Sequence, residues 1–142
     1  MVLNTGKVEF TIQFDNGDEG KIYFNPNDPD LMLRMKEMQS RIFDRTAEFE
    51  DVELTNEGKP IDISMTENFE KMQNILKDEL DRAFGGAVSD VVFKHCSPFA
   101  IVNGNYFIIQ FIEAIKPEIE KHIKAANAEV QKKMQKHISK YK

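Results

Sequence analysis

Two adjacent glycines, Gly85 and Gly86, separate one helical pattern from the next and constrain the fold more than any other feature of the sequence. An apolar stripe with helical spacing leads up to them: Leu76, Leu80 and Phe84. Glycine readily takes the positive φ that commonly ends a helix, so we predict a helix end here, although the glycine pair alone is also compatible with a flexible linker. Ser89 is expected to cap a short helix over residues 89–95. The chain is therefore predicted to turn sharply between two apolar surfaces.

The N-terminal region has the pattern of a β-hairpin over residues 8–25. Apolar side chains alternate with polar ones in its first half: Val8, Phe10, Ile12 and Phe14. Residues 15–20 have turn composition, and we expect a return strand over residues 21–25 with Ile22 and Phe24 on one face. A lone hairpin is marginally stable in water, so it must lie on the helices or join strands of another copy. Its outer edges are either open to strand addition or protected by charge.

Helical patterns fill most of the remaining chain. The predicted helices cover residues 29–50, 65–84, 89–95 and 106–141. Asp28 as the cap and Pro29 at the first helical position give the first helix a clear start, and residues 51–64 read as a loop. Asn105 is expected to cap the last helix. Because Pro117 lies within that helix, one long bent helix and two helices divided near residue 116 are both open.

These elements predict an α+β fold, with an N-terminal β-hairpin packed on a mainly α-helical domain and a long C-terminal helix. A chain of 142 residues suits a single domain over residues 1–142. Charge is distributed unevenly along it, because residues 116–142 carry +5 within a net charge of -5, which leaves -10 on residues 1–115. An acidic body argues against nucleic acid as its main target. The basic end is either a solvated helix face or a contact for phosphate or acidic protein.

The sequence contains no recognisable catalytic or cofactor-binding pattern. Cys96 is the single cysteine, so no internal disulfide can form, and we expect a reducing, cytoplasmic setting. No spacing of ligand residues indicates a metal, and no glycine-rich loop indicates a nucleotide, so we predict no cofactor and no enzymatic activity. The longest apolar block, residues 106–115, is too short to span a membrane.

Three apolar sets are candidates for contact with a partner protein. The candidate residues are Met32, Met35 and Met38 in the first helix, and Phe107, Phe111, Ile115, Val130, Met134 and Ile138 in the last. Methionine gives a helix a pliable surface of the kind found at adaptable interfaces. Filling of the chain's own core is the alternative for each set. The last three residues follow a drop in apolar density, so that part of the helix either projects from the body or frays unless a partner covers it.

Several short motifs, taken in order, resemble a family of small phage proteins. The motifs are Asn27-Asp28-Pro29-Asp30-Leu31 after a strand pair, Leu80-Asp81-x-x-Phe84-Gly85-Gly86 followed by Ser89-Asp90 and Phe93, and the stretch from Tyr106 to Ile115 that leads to Pro117. In this order the chain is similar to tail assembly chaperones encoded in the tail modules of phages and prophages of Gram-positive bacteria. The resemblance covers residues 8–119 and leaves the basic extension after Ile123 unmatched.

The resemblance implies a non-enzymatic factor that acts in the bacterial host cytoplasm. It implies that the partner is the tail tape-measure protein or another phage tail protein, and it gives no catalytic residues to carry over. Homo-oligomerisation through the hairpin edge or the last helix is a second use that the same surfaces allow, and we expect no membrane partner. Two alternatives stay open: a minor structural tail protein retained in the virion, and a small regulatory module that binds nucleic acid through its lysine-rich end.

Overall fold

The structure is a computed structural model that describes residues 1–46 and 66–140 of the chain. Its elements, in chain order, are β1 (Val8–Gln13), β2 (Glu19–Phe24), α1 (Pro29–Thr46), α2 (Thr66–Phe84), α3 (Ser89–Val92), β3 (Ile101–Val102), β4 (Asn105–Tyr106) and α4 (Phe107–Lys140). The predicted α+β class is confirmed. The predicted loop over residues 51–64, the helix ends at residues 47–50 and 141, and the helix start at residue 65 lie outside the described residues.

β1 and β2 form the predicted antiparallel hairpin, with Phe10 opposite Ile22. Phe10, Ile22 and Phe24 are buried on one face while Tyr23 is exposed on the other, as the alternation predicts. The return strand begins at Glu19, two residues earlier than expected. The reason is a tighter turn, in which the Phe14 amide donates to the Asp18 carbonyl at 2.9 Å and the Asp18 amide donates to Asn16 Oδ1 at 3.0 Å.

The predicted start of α1 is confirmed, because the Asp30 amide donates to Asp28 Oδ1 at 2.9 Å. Arg34 lies one turn further along and donates two hydrogen bonds. Its Nη2 donates to Asp28 Oδ2 at 3.0 Å, and its Nε donates to the Ala83 carbonyl at 2.9 Å. This side chain therefore joins the beginning of α1 to the end of α2. The pKa of Asp28 is lowered by the hydrogen bond from the Asp30 amide and by that from Arg34.

The end of α2 confirms the glycine turn but corrects the predicted cap. Gly85 has a φ of 72°, and the amides of Gly85 and Gly86 both donate to the Asp81 carbonyl, at 2.8 and 3.1 Å. Ser89 was expected to be the N-cap, yet it is the first residue of α3 and Val88 precedes it. The Asp81 carboxylate reaches across the turn instead: Oδ1 accepts the amides of Val88 and Ser89, and Oδ2 accepts the Ser89 hydroxyl.

α3 is shorter than the predicted helix over residues 89–95, since it ends at Val92. The side chains of Lys94 and His95 lie against Asp18 in the hairpin turn, and the chain leaves the helix where these contacts begin. A small hairpin follows, β3 with β4, which was not predicted from the sequence. Asn103 and Gly104 supply its turn with φ values of 52° and 80°, the combination that a two-residue hairpin turn requires.

α4 is one continuous helix that contains Pro117, so the alternative of two helices is wrong. It begins at Phe107 rather than at residue 106, because Tyr106 pairs with Ile101 in the small hairpin. Asn105 lies in β4 and does not cap the helix as predicted; the Ala100 and Pro98 carbonyls accept the first helical amides, those of Phe107 and Ile108. At 1.5 Å per residue the helix is about 50 Å long.

One apolar core joins the hairpin to the helices. The ring of Phe24 stacks on Phe10 with centres 4.4 Å apart and meets Phe84 edge-on at 4.8 Å. Phe84 in turn lies 5.9 Å from Phe111, which brings the N-terminal hairpin and the first part of α4 into the same cluster. Aromatic contacts of this kind add to the free energy gained from burial alone. The hairpin is therefore part of the core and not an appendage.

Candidate protein-binding surfaces

The structure divides the nine predicted partner residues into three groups. Four are buried in the core (Met35, Met38, Phe111 and Ile115), two are half-buried (Met32 and Phe107), and three are exposed (Val130, Met134 and Ile138). The buried group fills the chain's own core, which was the alternative to partner contact, because these side chains pack against the chain's own helices and hairpin. Met35 and Met38 are fully buried and can meet a partner only if the core opens, whereas Phe111 and Ile115 keep a small exposed part that lines the groove described below.

Val130, Met134 and Ile138 form an apolar stripe, hereafter the α4 stripe, on the C-terminal part of α4. Their exposed fractions are 54%, 58% and 48%. Ile119 is buried and Ile123 is half-buried on the same side of the helix. The stripe therefore continues, towards the C-terminus, the face of α4 that packs against the body at Ile119 and Ile123. Every residue from 127 to 140 is exposed, over a length of about 20 Å of helix.

Lysines occupy the part of α4 that lies away from this stripe. They are Lys132, Lys133, Lys136 and Lys140, and all are exposed. At 3.6 residues per turn they lie about 100–160° around the helix from Met134. Glu129 contacts Lys133 at 3.6 Å, a pair so exposed that it contributes little to stability. The end of α4 is therefore amphipathic, with an apolar side and a basic side.

A second surface is a groove between β1 and α4, hereafter the β1–α4 groove. It consists of two cavities, of about 350 and about 520 Å³, that have Phe111 and Ala114 in common. Glu9 and His122 line the first, and Asp15 lines the second. Sequence reasoning missed this groove, because its two walls are about a hundred residues apart in the chain; the only local signal is an exposed Ala114 within an apolar helix.

Titratable groups gather beside the groove, where His95 Nε2 lies 2.8 Å from Asp18 Oδ2 and Lys94 Nζ lies 3.3 Å from it. Cys96 is half-buried, and burial raises the pKa of its thiol, with the Asp15 charge acting in the same direction. The thiol hydrogen bond of Cys96 goes to the Ser97 carbonyl, at 3.6 Å, and not to His95. Among residues 1–46 and 66–140, no group of His, Cys, Asp and Glu is arranged to hold a metal ion.

The cluster around Asp18 predicts an acid-sensitive contribution to stability. The hydrogen bond from His95, then that from Lys94, lowers the pKa of Asp18 below its ordinary value of 3.8. A carboxylate with a lowered folded-state pKa stabilises the fold above its unfolded pKa, and this stabilisation is lost as the pH falls through the folded pKa. We expect Asp18→Asn to flatten the acid limb of stability measured by urea unfolding from about pH 5 to 2. An acid limb identical to that of the unaltered protein would contradict this assignment.

Comparison with known proteins gives no match to a family model, to a curated protein or to a solved structure. No helix in the described part of the chain has both the length and the apolar character needed to cross a membrane.

Proposed function

We propose that this protein is a non-catalytic assembly factor of the tail assembly chaperone kind, which binds an amphipathic helix of the tape-measure protein along the α4 stripe. The observation that carries the proposal is the row of Val130, Met134 and Ile138 on a helix that extends past the body. The motif order described above supports the identity of the client. The host cytoplasm is the compartment in which such assembly takes place.

Physical chemistry supports a helix as the ligand of this stripe. Large apolar side chains at i, i+4 and i+8 match the anchor spacing by which one amphipathic helix lies against another. Burial of a side chain such as Ile138 is worth about 1.5–3 kcal/mol, and an exposed helical end gains order when a second helix covers it. Residues 127–140 contain four lysines and one glutamate, a charge of +3, so two copies side by side repel one another and a helix from a different protein suits the stripe better than a second copy does.

The proposal is tested by co-expression with the tape-measure protein encoded nearby. We expect the double substitution Val130→Asp/Met134→Asp to reduce the recovered complex by about tenfold or more, because two charges would enter the apolar contact. Gln135→Asp/Ser139→Asp is the matched control, since it adds the same charge to the same segment at positions about 100° and 140° around the helix from Met134, the centre of the stripe. Co-purification followed by quantitative gel analysis measures both, and circular dichroism checks that both variants keep their helices.

Two results would count against the proposal. One is the absence of a complex with the unaltered protein, and the other is an equal loss of complex in the stripe and control variants, which would indicate a charge effect.

The rival proposal of a structural tail protein predicts that the chain is present in purified virions, where mass spectrometry would detect it. The basic side of α4 supports the rival of nucleic-acid binding, which predicts a salt-dependent shift of DNA that disappears on deletion of residues 132–142.

A further inference from the structure

β1 has one edge without a strand neighbour, because within the described residues it pairs with β2 alone. The unpaired amides and carbonyls of a strand edge can accept a further strand from another chain. Many proteins protect such an edge by covering it. Here consecutive residues of β1, 9–13, line the β1–α4 groove, which indicates that the groove runs beside this edge.

The groove follows most of the strand. Residues 9–11 of β1 line the cavity around Glu118 and His122, and residues 12–13, with Phe14 and Asp15 of the turn, line the cavity around Phe107. The strand residues 9–13 span about 14 Å at the usual rise of a strand. Because the two cavities share Phe111 and Ala114, they adjoin and form one channel, with room for roughly four or five extended residues along β1.

The walls of the channel suit alternating side chains. On the hairpin, Ile12 of β1 and Phe14 of the turn line the groove, and Phe107 and Phe111 line it on the helix. Ala114 stands at the point that both cavities share, and its small side chain leaves the centre of the channel open. A peptide added to β1 would direct every second side chain towards these apolar groups, while its backbone bonds to the strand edge.

Charges at the channel favour a basic peptide. Glu9, Asp15 and Glu118 line the groove, and neither lysine nor arginine is among the described residues that line it. Glu9 contacts Lys21 at 3.3 Å and Glu118 contacts Lys121 at 3.6 Å. Both pairs are about half exposed or more, so they are weak and can exchange for a ligand's cations.

We propose that the β1–α4 groove binds an extended peptide with alternating apolar and basic residues, which adds to the free edge of β1 as a third strand. The occupant is a segment of a partner protein. This surface is separate from the α4 stripe, so the proposal stands whether or not the protein binds a tape-measure helix.

A labelled peptide of sequence Lys-Val-Lys-Val-Lys-Val-Lys provides the test, with binding to the full chain followed by fluorescence anisotropy. We expect binding to weaken by about tenfold or more when alternate peptide nitrogens are methylated, since methylation removes backbone donors without changing charge. Replacement of the lysines by glutamates should abolish binding. Ala114→Trp, which fills the centre of the channel, should weaken binding by about tenfold or more, whereas Ala128→Trp, exposed on the same helix outside the groove, should leave it unchanged.

Backbone NMR shifts of the complex locate the peptide, and we expect the largest changes in residues 9–15. The proposal is overturned if the methylated peptide binds as well as the parent, if Ala114→Trp has no effect, or if the shifts lie in residues 127–140. Dimerisation of the protein without peptide, abolished by Ala114→Trp in sedimentation velocity, would assign the groove to a second copy and would also overturn it.

Discussion

Replacement of Phe24 by alanine is expected to destabilise the fold by about 3–5 kcal/mol. Phe24 is fully buried, and its ring contacts both Phe10 of the hairpin and Phe84 of α2. Alanine would remove the apolar surface of the ring and leave a cavity where hairpin and helices meet. Small domains have a total stability of about 5–15 kcal/mol, so this one change could unfold a large fraction of the protein at ambient temperature. Urea unfolding followed by circular dichroism measures the loss.

Tyr23→Ala is the control for this prediction, because Tyr23 lies next to Phe24 in the same strand but on the exposed face. Its hydroxyl donates to Glu9 at 3.3 Å, a surface contact whose loss should cost less than about 1 kcal/mol. If both substitutions destabilise the protein equally, the hairpin is stabilised by strand pairing alone and the aromatic cluster contributes little. A loss below about 1 kcal/mol for Phe24→Ala would place the hairpin outside the core.

The sequence was most informative where one short segment carries the whole signal. Alternation in residues 8–14 predicts which side of β1 is buried, Asp28 and Pro29 predict the start of α1, and Gly85 predicts the end of α2. Each of these features depends on residues within a turn or two of one another. The physical cause and the pattern that reveals it are therefore in the same place.

The prediction was incomplete where distant segments meet. Met35 and Met38 have the spacing of one helix face, but spacing alone does not say whether that face meets the chain's own core or a partner, and the structure places it in the core. The β1–α4 groove depends on the approach of Phe111 to the hairpin, which no local pattern contains. The small hairpin at Asn103 was missed because its strands have only two residues each and carry no alternation.

Both candidate surfaces are defined by how α4 meets the rest of the chain. Its first half packs against the hairpin and leaves a channel there, and its second half passes beyond the body with an apolar side uncovered. The charges differ in the same way, since carboxylates line the channel and lysines occupy the projecting end. The two surfaces would accordingly select different ligands, an extended basic segment for the channel and an amphipathic helix for the projecting end.

Replacement of Asp81 by alanine is the second substitution with a large expected effect, a loss of about 2–4 kcal/mol. The Asp81 carboxylate accepts from the Val88 amide at 2.8 Å, the Ser89 amide at 2.7 Å and the Ser89 hydroxyl at 2.8 Å. Ser89 is only 3% exposed, so alanine at position 81 would leave its hydroxyl buried without this acceptor. Asparagine at position 81 keeps one acceptor oxygen and should lose about half as much stability.

Asp78→Ala is the matched control, because it removes the same charge from an exposed position of α2 and should change stability by less than about 0.5 kcal/mol. A double-mutant cycle with Ser89→Ala isolates the contact, and we expect a coupling free energy of about 1–2 kcal/mol between the two side chains. Amide hydrogen exchange at Val88 and Ser89 should accelerate in Asp81→Ala and not in Asp78→Ala. Equal stability of Asp81→Ala and Asp78→Ala would mean that Gly85 and the packing of Val92 stabilise the turn without the Asp81 carboxylate.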